Sequence, residues 1–167
     1  MRIYVLAACI ALAACGPEVS PEEQAQRDAE AVAQVRASQT PPALGITPET
    51  IGNADIEKHE MFGLGCSFVP RSAGAGSEAV AITLLDGAFM KVDGEVLRFA
   101  PDAGSPETPY GTRRKYDGLE FSMQLEFSEG EGQKIGMETM QHTARLTARD
   151  GRDRVIYEAD GTAQCGA

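Results

Sequence analysis

The stretch AVAITLLDGAFMKVDGEVLRFA, residues 79–100, decides the fold class. It holds three apolar runs of strand length, separated by Asp86-Gly87 and Asp93-Gly94. Val, Ile and Phe suit a pleated, half-buried surface. Asp-Gly tolerates the left-handed backbone that a type I′ hairpin needs at both central positions. The segment therefore predicts an antiparallel meander with strands over 79–85, 88–92 and 95–100. Asp-Gly recurs at Asp117-Gly118, Asp150-Gly151 and Asp160-Gly161, and each reads as a further turn signal.

Working outward, LEFSMQLEF (119–127) alternates without a break. Phe121, Met123, Leu125 and Phe127 share one face, while Glu120, Ser122, Gln124 and Glu126 share the other. That is a strand with one buried and one wet side. QHTARLTARDGRDRVIYEAD (141–160) predicts a terminal hairpin about Asp150-Gly151, and residues 64–69 the first strand of the core. Ile46, Ile51 and Ile56 are apolar anchors expected to lie across the domain. The fold expected for residues 46–167 is all-β and mainly antiparallel, a small sandwich or barrel of about seven or eight strands.

The chain has 167 residues, of which 43% are hydrophobic and 24% charged, ordinary values for one globular domain. Aromatic residues are only 6% and Trp is absent, so the core must rest on aliphatic side chains, Met and Phe. The net charge of −10 argues against nucleic acid, whose phosphates need a basic footprint. It also argues against adhesion to anionic lipid through charge alone.

The first residues, MRIYVLAACIALAACG, place Arg2 before an apolar stretch over 3–14. Its length falls within the roughly 7–15 residues of a signal h-region and short of the ~20 a spanning helix needs. Leu12-Ala13-Ala14-Cys15 resembles the lipobox of bacterial lipoproteins. The resemblance implies cleavage before Cys15, a diacylglycerol on its thiol and acylation of the new N-terminus. The earlier copy, Leu6-Ala7-Ala8-Cys9, has too short an apolar run before it and apolar residues after it. Cys15 is followed by GPEVSPEE, which enters water directly. The expected parts are a signal peptide (1–14), a lipidated N-terminus with a helical and Pro-rich tether (15–45), and the β domain (46–167). Two or more acyl chains anchor stably, so the membrane is a partner through lipid without a protein span. The location expected is the periplasmic face of the envelope. Gly16 stands where Asp would retain a lipoprotein in the inner membrane, which favours the outer membrane.

Ser20-Pro21-Glu22-Glu23 reads as a capping box with Pro at the first helical position. The run to about Ser38 is rich in good helix formers, with an apolar face too weak to drive packing. Thr40-Pro41-Pro42 ends it. Cys66 and Cys165 remain, and two cysteines of an exported domain pair. Their bond would tie the first core strand to the C-terminus.

Little else carries chemistry. Asp55 and His59 would share a helix face, and His142 opens a strand. Two His and an oxidised Cys pair fall short of the three protein ligands of a catalytic zinc site. There is no Gly-x-Ser-x-Gly elbow, and AGAGS (73–77) lacks the Lys and helix of a phosphate loop. No catalytic residue, metal site or cofactor is expected. The cationic exception is GTRRKYDG (111–118), where Arg113, Arg114 and Lys115 are flanked by Tyr110 and Tyr116. Such a group can grip a carboxylate or phosphate. Its candidate partners are peptidoglycan carboxylates, lipopolysaccharide phosphates or an acidic cleft of an envelope protein.

DIEKHEMFGLGCSFVP (55–70) and GTAQCGA (161–167) are similar to small envelope lipoproteins of alphaproteobacteria, which implies a location and no activity. GSPETPYGTRRKYDG (104–118) resembles the membrane-bound inhibitors of c-type lysozyme, small all-β lipoproteins that insert a Ser and a Lys into the lysozyme site. Ser105, Tyr110, Lys115 and Tyr116 stand in the corresponding region. The family's Ser-Gly-x-x-Tyr spacing, Lys-Gly pair and Trp residues are absent. The expectation is a non-enzymatic cell-envelope lipoprotein with a binding or structural role. The alternatives are a lysozyme-inhibitor-like binder using Arg113, Arg114 and Lys115, and a minor periplasmic hydrolase.

Overall fold

The structure, a computed structural model, describes residues 20–39, 41–74, 76–130 and 132–166. The expected signal segment, Cys9 and the expected lipidation residue Cys15 lie outside the described residues. The chain divides into two units, Met1–Pro42 and Ala43–Ala167.

In the first unit, α1 spans Pro21–Gln39. The Ser20 N–H donates to Glu23 Oε2 at 3.2 Å, and the Glu23 N–H donates to Ser20 Oγ at 3.3 Å. This is the reciprocal capping box the sequence predicts. None of the helix's residues is buried.

The second unit contains β1 (Pro48–Glu49), α2 (Asn53–Lys58), β2 (Gly65–Pro70), β3 (Ala81–Leu84), β4 (Ala88–Val92) and β5 (Glu95–Pro101). It continues with β6 (Lys115–Asp117), β7 (Phe121–Phe127), β8 (Gln133–Lys134), β9 (Met140–Asp150) and β10 (Val155–Gly166). Every pairing is antiparallel. The order β4-β3-β2-β10-β9-β7-β6-β5 returns to β4, so these strands close into an eight-stranded barrel. Of the two architectures expected, the barrel is the one formed. The short β1 and β8 pair with β4 and β9.

The meander forms as predicted, with Asp93 at φ 50° and Gly94 at φ 77° making the tight turn between β4 and β5. Asp86-Gly87, Asp117-Gly118 and Asp150-Gly151 fall at the β3–β4, β6–β7 and β9–β10 connections as read, but not as type I′ turns. Gly87, Gly118 and Gly151 take no left-handed backbone, and Asp153, at φ 61°, turns the chain between β9 and β10. Asp160-Gly161 is not a turn; it lies inside β10. A Cβ at Gly161 would stand 2.2 Å from the Val69 carbonyl oxygen and 2.7 Å from the Phe68 ring, so the crowded barrel wall is what requires glycine there.

β7 alternates as expected, with Phe121, Met123 and Leu125 buried. Phe68, Met90, Phe99, Tyr116, Met123 and Leu146 are each under 2% exposed and fill the barrel, with Ala88, Ala144, Ala148 and Ala163 between them. Arg145 and Glu158 or Asp160 meet on the outside. Apolar-in and charged-out is the inverse of a transmembrane barrel. Among the described residues, no helix is long and apolar enough to cross a membrane.

One stretch of wall is buried on both sides. Ile82, Leu84 and Phe89 face outward from β3 and β4 and are covered by Ile51, Met61 and the partly buried Ile56. The Ile51 N–H donates to the Ala79 carbonyl at 2.7 Å, and Lys91 pairs with Asp55 at 3.0 Å. Ile46 is held by its N–H donating to the Ile156 carbonyl at 3.0 Å. The three Ile anchors thus lie across the domain as expected. Cys66 and Cys165 form a disulfide between directly paired residues of β2 and β10, 99 positions apart, with their Cα atoms 4.0 Å apart.

Candidate functional site

The basic run ends the long connection between β5 and β6, residues 102–114. This loop is ordered by its own polar groups. Asp102 donates its N–H to the Lys115 carbonyl at 3.0 Å and accepts the Gly104 N–H at 2.8 Å. The hydroxyls of Thr108 and the buried Thr112 meet at 2.6 Å. At the loop's centre, the Tyr110 hydroxyl meets His142 Nε2 at 2.6 Å. The rings of Tyr110, Phe127 and His142 lie with centroids 5.2 to 6.4 Å apart. Tyr110 is therefore half inside, holding the loop against β9.

Tyr116 corrects the sequence reading outright. It is fully buried, so no partner can touch it. Its hydroxyl donates to the Leu84 carbonyl at 2.8 Å and accepts the Arg113 N–H at 2.9 Å. Burial pushes the phenol's pKa up.

The three cations are each engaged by acids from different parts of the fold. Arg113 donates to the Ser105 carbonyl at 3.2 Å and lies 3.7 Å from Glu107. Arg114 lies 3.8 Å from Glu126 of β7. Lys115 pairs with Asp117 at 2.9 Å and Asp102 at 3.5 Å, and the hydrogen bond to Asp117 holds its ammonium above the usual lysine range. The run is charge-balanced, and the structure does not gather it into a common anion pocket. Ser105 uses its hydroxyl within the loop, accepting the Lys115 N–H at 3.2 Å.

His59 caps the C-terminal end of α2. Asp55, its candidate co-ligand, is occupied by Lys91 and by the Gly52 N–H at 3.2 Å, and the Lys91 hydrogen bond lowers its pKa. Among the described residues, no group of three metal-ligating side chains comes together.

Sequence reading misses the Tyr110–His142 pair. The residues are 32 positions apart, and neither carries a local signal. A faint trace is Gly132, at φ 74°, where a Cβ would stand 2.5 Å from the His142 ring. A phenol bonded to an imidazole can pass a proton. Among the described residues, Tyr110 is the one side-chain hydrogen-bond partner of His142.

A second surface feature lies at the opposite end of β5. A cleft of about 370 Å³ runs between Glu95, Val96, Leu97, Arg98 and Phe99 on one side and Gly118, Leu119, Glu120 and Phe121 on the other. Leu119 is wholly exposed.

No family profile, curated protein or solved structure matches this chain.

Proposed function

We propose that this chain is a lipid-anchored cell-envelope protein whose barrel binds or braces an envelope component through its outer surface. The observation that carries this reading is the filled interior. At eight strands a barrel is either packed by side chains or wide enough for one small ligand. Here Phe68, Phe99, Tyr116 and their neighbours occupy that space, which supports a surface role over ligand carriage. The lipobox resemblance supports an anchor at Cys15, and the disulfide suits an oxidising compartment.

The alternatives draw less support. A hydrolase needs convergent ionisable groups, whereas the buried polar side chains among the described residues are Thr83, Thr112, His142 and Thr147. A lysozyme-inhibitor-like binder needs an available cation, and Arg113, Arg114 and Lys115 each face a carboxylate. A protein or peptidoglycan partner in the periplasm, at the outer membrane, fits the remaining surface.

The anchor is tested by fatty-acid labelling in a bacterial host. Wild type and Cys9→Ala should be labelled and Cys15→Ala should not. Labelled Cys15→Ala would overturn the assignment. The binding role is tested by cross-linking the lipidated chain in intact envelopes. Inhibition of c-type lysozyme by the purified chain would overturn the reading in favour of the inhibitor alternative.

A further inference from the structure

The barrel wall is thinnest beside β5. This strand pairs with β4 from Glu95 to Phe99, but with β6 only through Ala100 and Pro101. Hairpin geometry says which groups are left over. In a two-residue hairpin the residues flanking the turn, here Val92 and Glu95, exchange hydrogen bonds, and bonded pairs then alternate along the ladder. Leu97 and Phe99 therefore bond to β4. The N–H and C=O groups of Val96 and Arg98 point the other way, into the cleft, where no described residue pairs with them. Leu97 belongs to the partly buried rim of the core and lines this cleft, with the wholly exposed Leu119 on the opposite lip.

We infer that the cleft receives one extended segment of another polypeptide, carrying basic residues beside an apolar one, which adds to β5 as an extra strand. Three observations select that occupant. Paired backbone donors and acceptors at alternate residues are complementary to another extended backbone. The free backbone groups form one short row on β5, bordered by residues 118–121, so a single extended segment satisfies them. The cleft itself is acidic. Glu95 and Glu120 border it from either segment and make no ion pair among the described residues, whereas the Arg98 guanidinium is drawn to Asp86 at 3.3 Å and over the Phe89 ring at 5.9 Å. A second copy of this chain, itself at net −10, would set acid against acid.

The inference rests on the reading that the barrel works through its outer surface, and it names the partner class. The test is amide hydrogen exchange and NMR titration of the full chain. The probe is an acetylated, amidated Lys-Val-Lys-Val-Lys peptide, with Glu-Val-Glu-Val-Glu and a fully N-methylated version as controls. In the chain alone, the amides of Val96 and Arg98 should exchange fast and those of Leu97 and Phe99 slowly. The basic peptide should saturably protect Val96 and Arg98. The acidic peptide should bind about ten-fold more weakly, or worse, and the N-methylated one should give no protection. The double variant E95Q/E120Q changes two surface charges and should cut the preference for the basic peptide.

Several results overturn the inference. One is slow exchange at Val96 and Arg98 in the dilute chain alone. Another is equal binding of the acidic and basic peptides, and a third is peptide shifts confined to other surfaces. Protection that grows with protein concentration and without peptide would identify a second copy as the occupant and equally overturn it. Because Cys15 labelling is independent of the cleft, a labelled chain that ignores the peptide loses this inference and keeps the anchor.

Discussion

Tyr116 is the largest side chain wholly inside the barrel, and its hydroxyl joins the loop at Arg113 to the end of β3 at Leu84. Tyr116→Phe leaves that carbonyl and that N–H without their partner in a dry setting. The expected loss is about 1–3 kcal/mol, read as a lower urea midpoint at unchanged slope. Gly161→Ala sets a methyl group 2.2 Å from the Val69 carbonyl, with backbone rather than a yielding side chain in the way. Its loss should lie at or above the upper end of the roughly 1–3 kcal/mol that overpacking costs, by the same measurement. Neither role is written locally. A tyrosine beside three cations reads as part of a binding group until its burial is known, and a glycine after aspartate reads as a turn. The partners of the cations were equally out of view, since Glu126 comes from β7, and Asp102 and Glu107 meet Lys115 and Arg113 only because the loop folds back on itself. Asp117 alone stands close enough in sequence to be noticed.

Among the elements, the hairpin of β9 and β10 turns on Asp150. Its carboxylate pairs with the Arg154 side chain at 2.6 Å and accepts the N–H groups of Arg152 at 2.9 Å and Arg154 at 3.0 Å. The Arg154 side-chain hydrogen bond leads in holding the carboxyl well below its ordinary 3.8, at about 2. A depressed carboxylate stabilises the fold above its unfolded value and loses that contribution as pH falls toward the folded one. Turn amides around Asp153 should therefore lose exchange protection between about pH 4 and pH 2, and Asp150→Asn should flatten that dependence. Strands of this kind were legible from a genuine tight turn, as in β4 and β5, or from a strict period of two, as in β7. The connection between β5 and β6 was not legible, because its order comes from Thr108, Thr112 and the distant His142 instead of from any repeating pattern.

For the molecule as a whole, the closing bond is the disulfide. In the chain-entropy account a loop of about 100 residues contributes up to about 4.7 kcal/mol. Cys66→Ser with Cys165→Ser should lower stability by about 4 kcal/mol in urea unfolding, and reductant should bring wild type down to the variant. The pairing followed from counting the cysteines left once the N-terminal segment is read as an export signal. The choice of barrel over sandwich did not follow from sequence, because it depends on the first core strand, β2, pairing with the last, β10, after every other neighbour in the ring has been set by a consecutive connection. The same ring has a consequence for how the protein is made. Residues 65–70 of β2 find their partners at 161–166 of β10, the last stretch of the described chain to be synthesised. Until residues 161–166 have been made, the wall has a missing stave and the ring cannot close. Long-range strand pairing of this kind is slow even afterwards. For the exported lipoprotein proposed above, that looseness suits a chain that threads a channel unfolded, with β10 arriving as the latch.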